Sequence, residues 1–110
     1  MSLENFDRQC KRSFFQLVSE FGPSHVGQFR ISEDEIKQAL DYQRATQTMW
    51  DNAISFFENK GYFVVRNTFG LSLELTTRSM ASSPSDQMAL ANALEMFRAR
   101  AVLQEDYNNY

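Results

Sequence analysis

One cysteine, one histidine, two prolines and four glycines occur among 110 residues, and each scarcity closes off a class of protein. A single thiol, Cys10, cannot form an intramolecular disulfide, and one Cys with one His cannot build a Cys/His zinc site. Cys10 stands among apolar neighbours at helical spacing, where a small buried packing residue is expected rather than a reactive thiol. His25 lies in "GPSHVG" with no designated acid or nucleophile beside it. No phosphate-binding Gly loop, nucleophile elbow or metal-ligand spacing is present. The expectation is a protein that is not an enzyme and carries no cofactor. Basic residues are also in deficit: the formal charge is −3, which argues against indiscriminate binding to a polyanion without excluding a local patch. No run of about 18 apolar residues exists, and the N-terminus lacks the apolar segment of a signal peptide. A cytoplasmic location with no membrane partner is the corresponding expectation.

What is abundant is bulk. Ten Phe and five Met accompany an apolar content of 43%, enough for one hydrophobic core at this length and a surplus for a partner surface. From Ser2 to Phe21 the apolar positions Leu3, Phe6, Cys10, Phe14, Leu17, Val18 and Phe21 recur along one helical stripe. Gly22-Pro23 ends that helix. Phe29 and Ile31 alternate with Gln28 and Arg30 as in a short half-buried strand. "SEDE", Ser32 to Glu35, has capping-box spacing and opens a second helix that reaches about Leu40. A polar turn, Asp41 to Thr46, leads to a third helix over Ala45 to Lys60, with Met49, Trp50, Ala53, Ile54 and Phe57 inward and Gly61 as the cap. Two strands follow, "YFVVRN" and "LSLELT", joined by "RNTFG" as an antiparallel hairpin. Phe63 and Val65 share one face, with Phe63 expected in the core. Thr77 to Pro84 reads as a linker. A last helix runs from Ser83 or Ser85 to about Glu105, and "DYNNY" reads as a frayed tail. The predicted class is mainly α with a small β-sheet, α+β.

In this order of elements, Gln28 to Thr76 resembles a winged helix-turn-helix domain. "FRI" stands where that family's first strand lies and "SEDEIKQAL" at its first helix-turn-helix helix; "ATQTMWDNAISFFENKG" matches the second, and "YFVVRNTFGLSLELT" the wing. Small and apolar residues followed by Lys-Gly, as in "NAISFFENKGYFVV", commonly close the family's recognition helix. The resemblance implies a winged-helix body over residues 1–80. Residues 81–110 form a C-terminal helix that belongs to the same domain or to a dimer interface.

By position, the resemblance also implies DNA contact. Base-facing candidates are Thr46, Gln47, Thr48, Asp51, Asn52 and Ser55, since Gln and Asn bond adenine bidentately and Thr meets a thymine methyl. Arg44, Lys60 and Arg66 are the phosphate candidates, with Arg30 and Arg78 nearby. Against this, Ser32 to Lys60 holds three bases and six acids. Two functional expectations follow. The first is a homodimeric DNA-binding transcriptional regulator, paired through its last helix. The second is a protein–protein interaction module on the same scaffold. The dimer or partner candidates are Phe15, Phe69, Met88, Leu90, Leu94 and Phe97. Phe56 and Tyr62, off the core stripes, are further exposed anchors on the second reading.

Overall fold

A computed structural model of the chain describes residues 1–108, and side chains as far as residue 103. It is mainly helical with a three-stranded antiparallel sheet, an α+β fold. The order is α1 (Leu3–Phe21), β1 (Gly27–Ser32), α2 (Glu33–Leu40), α3 (Gln47–Asn59), β2 (Phe63–Arg66), β3 (Gly70–Leu75), α4 (Thr77–Ala81) and α5 (Pro84–Asn108). Helix boundaries follow local chemistry. Ser2 caps α1 by accepting from the Asn5 N–H, and Gly22 closes it at φ 100°. Ser32 and Glu35 form the full capping box of α2, each side chain bonded to the other's backbone N–H. Thr46 caps α3 through Oγ1, and Gly61 at φ 97° turns the chain toward β2.

β3 is the central strand, pairing with β1 on one side and β2 on the other. Because side chains alternate along a strand, the register fixes which residues share a face. Leu71, Leu73 and Leu75 point inward with Phe29, Ile31 and Val64, onto α1, α2 and α3. Phe14, Val18, Ile36, Met49, Ala53 and Phe57 meet them from the helices, all fully buried. At roughly 25 cal/mol per Å² of apolar area removed from water, the larger of these side chains each contribute about 2 kcal/mol. The outer face carries Gln28, Arg30, Ser72 and Glu74, together with Phe63 and Val65.

That parity corrects the expectation for β2. Phe63 and Val65 do share a face, but it is the solvent face, and Phe63 is 67% exposed. Val64, across from Leu73, is the residue turned to the core. Three further corrections concern the helices. Thr77 to Pro84 is not a linker throughout: Thr76 and Ser79 form a capping box, and α4 buries Met80 completely. Phe21 lies at the open end of α1 and is exposed. α5 continues through Asn108, beyond the expected end near Glu105. The frayed-tail expectation for Asn109 and Tyr110 lies outside the described residues.

α5 starts at Pro84, whose missing N–H costs nothing at a first helical position. It runs along α1 in the same direction, since Lys11 meets Asp86 and Ser19 meets Arg100. Phe97 closes over Gly22, where an added Cβ would lie 2.8 Å from the ring. The hairpin is tight. Asn67 and Gly70 exchange both backbone hydrogen bonds around Thr68-Phe69. Gly70 lets β1 approach, because a Cβ there would sit 2.1 Å from the Ile31 carbonyl oxygen.

Two substitutions check this register. Gly70→Ala must push two hydrogen-bonded strands apart, and denaturant unfolding should show a loss on the order of 3 kcal/mol. Phe63→Ser, on the solvent face, should change stability by no more than about 0.5 kcal/mol; a loss of core magnitude would mean the register is wrong.

Candidate nucleic-acid interface

α3 has two chemically opposite sides. Met49, Trp50, Ala53 and Phe57 are buried, with Ile54 half-buried beside them. Gln47, Thr48, Asp51, Asn52, Ser55 and Glu58 are exposed on the other side. Thr46 stands apart from this group. Its Oγ1 accepts the Met49 N–H at 3.1 Å and so caps the helix. Within the exposed face, Gln47 Nε2 donates to Asp51 Oδ1 at 2.8 Å. The four-residue spacing that allows this pair is legible in the sequence. Asp51 therefore orients Gln47 and also brings negative charge to the middle of the face.

The candidate cations are held on aromatic rings. The Arg66 guanidinium lies 4.4 Å from the centre of the Trp50 ring, which places it beside α3 through the packing of β2 on that helix. Lys60 Nζ lies 5.6 Å from the Phe56 ring and Arg30 4.8 Å from the Phe69 ring. Such contacts restrict a flexible side chain while its charge still faces water. Arg44 is exposed in the turn between α2 and α3, and Arg78 is exposed on α4. No sequence spacing announces the Arg66–Trp50 contact, because the two residues come from different elements.

Two of the three acids of α2 have local partners. Glu35 serves the capping box, and Asp34 pairs with Lys37 at 3.1 Å. The Glu33 N–H donates to the Phe69 carbonyl, joining the first turn of α2 to the hairpin tip. Asp51 and Glu58 are the acids on the exposed face of α3 itself.

The apolar candidates separate. Met88 is 76% exposed, while Phe15, Leu94 and Phe97 are half-buried and Phe69 lies under Arg30. Leu90 belongs to the chain's own core at 6% exposure, so it is not offered to a partner. Tyr62 is likewise no exposed anchor: it is buried edge-to-face against Phe57, its ring centroid 5.3 Å away. Phe56 is half-buried, packed edge-to-face on Phe57.

A second concentration of ionisable groups lies inside. The Tyr62 hydroxyl donates to Asp7 Oδ1 at 2.8 Å. Lys11 Nζ stands 3.4 Å from the same oxygen and 3.1 Å from Asp86 Oδ2, a buried oxygen that accepts no hydrogen bond and is held by charge alone. Cys10 adjoins this group. Burial pushes its thiol up to about 11, with the Asp7 charge adding and the Tyr62 hydrogen bond opposing. Burial, and then the bond to Asp7 and its charge, raise the Tyr62 phenol far above its ordinary range. A protonated, enclosed thiol is a poor nucleophile at neutral pH.

Comparison with protein-family models, curated proteins and solved structures gave no match to this chain.

The raised values set an alkaline limit on stability. Both groups are neutral when protonated and hold their protons more tightly folded than unfolded. The Cys10 contribution is complete below its unfolded pKa, near 9.0, and is lost as pH rises through about 11, whereas the Tyr62 contribution is complete below about 10.0 and falls only above it. Unfolding free energy should stay level to about pH 9 and then fall. Cys10→Ala should remove the first part of that fall and leave the Tyr62 part. Tyr62→Phe, which strips Asp7 of a donor, should cost about 1–3 kcal/mol at pH 7 by denaturant titration.

Proposed function

We propose that this chain is a winged helix-turn-helix protein that acts as a dimeric, DNA-binding transcriptional regulator. α2 and α3 form the helix-turn-helix, and the β2–β3 hairpin forms a short wing. One observation carries the reading. Gln47, Thr48, Asn52 and Ser55 stand exposed on a helix whose other side is buried, and Arg66 is held over Trp50 beside them. In this reading the α3 face enters the major groove, where Gln47 and Asn52 read adenine edges and Thr48 meets a thymine methyl. Arg66 and Arg44 take phosphates on either side, with Lys60 at the far end of α3. Asp51 holds the Gln47 amide in place, and its charge penalises DNA that offers no matching base. An acidic chain with few phosphate contacts binds non-specific DNA weakly, so selectivity comes from base contacts and from pairing two half-sites.

A protein partner is the second reading. It is favoured by the outer face of the sheet, where Phe63 and Val65 stand exposed on edge strand β2.

Selection from a random duplex pool at about 50 mM salt, where phosphate-driven binding is strong, separates the two. The expected result is a preferred site of two half-sites about one helical turn apart. Gln47→Ala and Asn52→Ala should each change the preferred bases at a cost of about 1–3 kcal/mol. Arg66→Ala and Arg44→Ala should weaken all sequences alike and reduce the salt slope by about one each. Asp51→Asn should raise affinity for unrelated DNA. Retention of no duplex under these conditions would remove DNA binding and leave the protein-interaction reading.

A further inference from the structure

α5 carries a second apolar stripe beside the one that the fold buries. Turned toward the body are Asp86, Leu90, Ala93, Leu94 and Phe97, with Arg100 donating to the Ser19 carbonyl at 3.0 Å. Beside these, Ala89, Asn92, Met96, Ala99 and Leu103 recur at alternating steps of three and four, the heptad spacing of a helix seam. These five residues are exposed, Met96 at 51% and Leu103 at 68%. Met88 and Val102 adjoin the stripe at 76% and 55%. Among the described residues, four of the ten large apolar residues that are exposed thus fall on this one helix, more than isolated surface residues would produce. The helix is 25 residues long, about 37 Å. It gives the molecule extents of 62 × 26 × 21 Å and a radius of gyration of 16.8 Å, against about 13 Å for a compact chain of this length.

We propose that this stripe is the seat of a second copy of the chain, whose α5 lies antiparallel and crosses at Met96. The stripe is complementary to its own reverse. With a two-fold axis at Met96, Leu103 of one copy lies opposite Ala89 of the other, Asn92 opposite Ala99, and Met96 against Met96. The two Leu103–Ala89 layers then pair a large apolar side chain with a small one, and the flexible Met pair between them adapts to its own image. A parallel pair would put Ala89 on Ala89, Ala99 on Ala99 and Leu103 on Leu103, which alternates thin and crowded layers along the seam. The body adds a receptor for the end of the partner helix. A groove between α1 and α5, lined by Phe15, Gln16, Ser19, Ala89, Asn92 and Met96, lies where Leu103 of the second copy arrives. A two-fold pairing of this kind is isologous and closes at two copies. It rests on the dimeric part of the reading above and is independent of DNA binding.

The test combines mass and cross-linking in a Cys10→Ala background. Light scattering should give twice the 12.8 kDa chain mass. Met96→Glu, at a half-exposed position, should leave the helical circular dichroism unchanged and weaken the dimer about 100-fold or more, since it places two like charges in the seam. Mixed Ala89→Cys and Leu103→Cys chains should be joined to each other by a short bis-maleimide, with neither joined to itself, and Asn92→Cys chains should remain single. Self-linking of Asn92→Cys without the mixed product would show a parallel pair and overturn the proposal. A dimer that survives Met96→Glu would show pairing through another face, overturning the proposal while sparing the dimeric reading. A monomer at about 100 μM, where interfaces of useful affinity are occupied, would overturn both and leave DNA binding to be judged by the duplex selection.

Discussion

Lys11 occupies the junction on which the arrangement of the elements depends. Its ammonium reaches Asp7 within α1 and Asp86 in the first turn of α5, while Asp7 accepts the Tyr62 hydroxyl from the corner between α3 and β2. Three segments distant in sequence are thereby indexed against one another at a single buried point. Two carboxylates share one ammonium and one phenol, and all four groups have surrendered most of their water. Such clusters add little net stability compared with apolar packing, yet losing one partner is costly because the others stay buried. The consequence is specificity of arrangement. Sliding α5 along α1 by one turn would preserve much apolar contact but strand Asp86 without its cation.

The corner fixed by Tyr62 has effects at a distance. Tyr62 packs on Phe57, and Phe57 also meets Phe6 and Phe56, so the end of α3 is clamped by aromatic edges. The direction in which the chain leaves α3 then determines where β2 runs. β2 carries Arg66 back to Trp50, one turn into the same helix. The proposed phosphate contact is therefore a product of the core and not of a basic run in the chain. The same geometry accounts for the modest reach of the hairpin. Its tip is bonded to the start of α2, which keeps Phe69 and Arg30 against the body.

α5 answers a question raised by the surplus of large side chains. Its broad apolar content divides into a stripe that the fold buries and an exposed one beside it. The inner one completes the packing of α1, with Leu90 and Ala93 in the core. The outer one leaves the fold intact and unfinished as a surface, which is why a self-complementary stripe matters more here than the total count of apolar residues. DNA recognition and pairing would then use opposite ends of the molecule's logic: α3 is exposed with polar side chains, and α5 with apolar ones.

Much of this fold was legible along the chain because its signals are local. Ser32 with Glu35 announced the start of α2, Gly22-Pro23 the end of α1, and Gly61 the exit from α3, since caps and breakers act within one turn. The periodic apolar residues of α1 and α3 likewise declared their buried sides, and the exposed set Gln47, Thr48, Asn52 and Ser55 followed as the remainder. α4 was hidden because it is five residues long and its Thr-Ser capping box resembles a polar linker. What the tertiary structure decided was parity and pairing. A strand of four residues, Phe-Val-Val-Arg, is apolar on both sides at its start, so its own pattern cannot say that Val64 faces inward. Only hydrogen bonding to β3 settles that, by setting Val64 opposite Leu73. Tyr62, Leu90 and Arg66 depended in the same way on partners 12 or more residues away: Asp7, the α1 surface and Trp50. The sequence determined the elements because they form by short-range bonds. Their contacts formed only when loops had closed, and closure is a property of the whole chain.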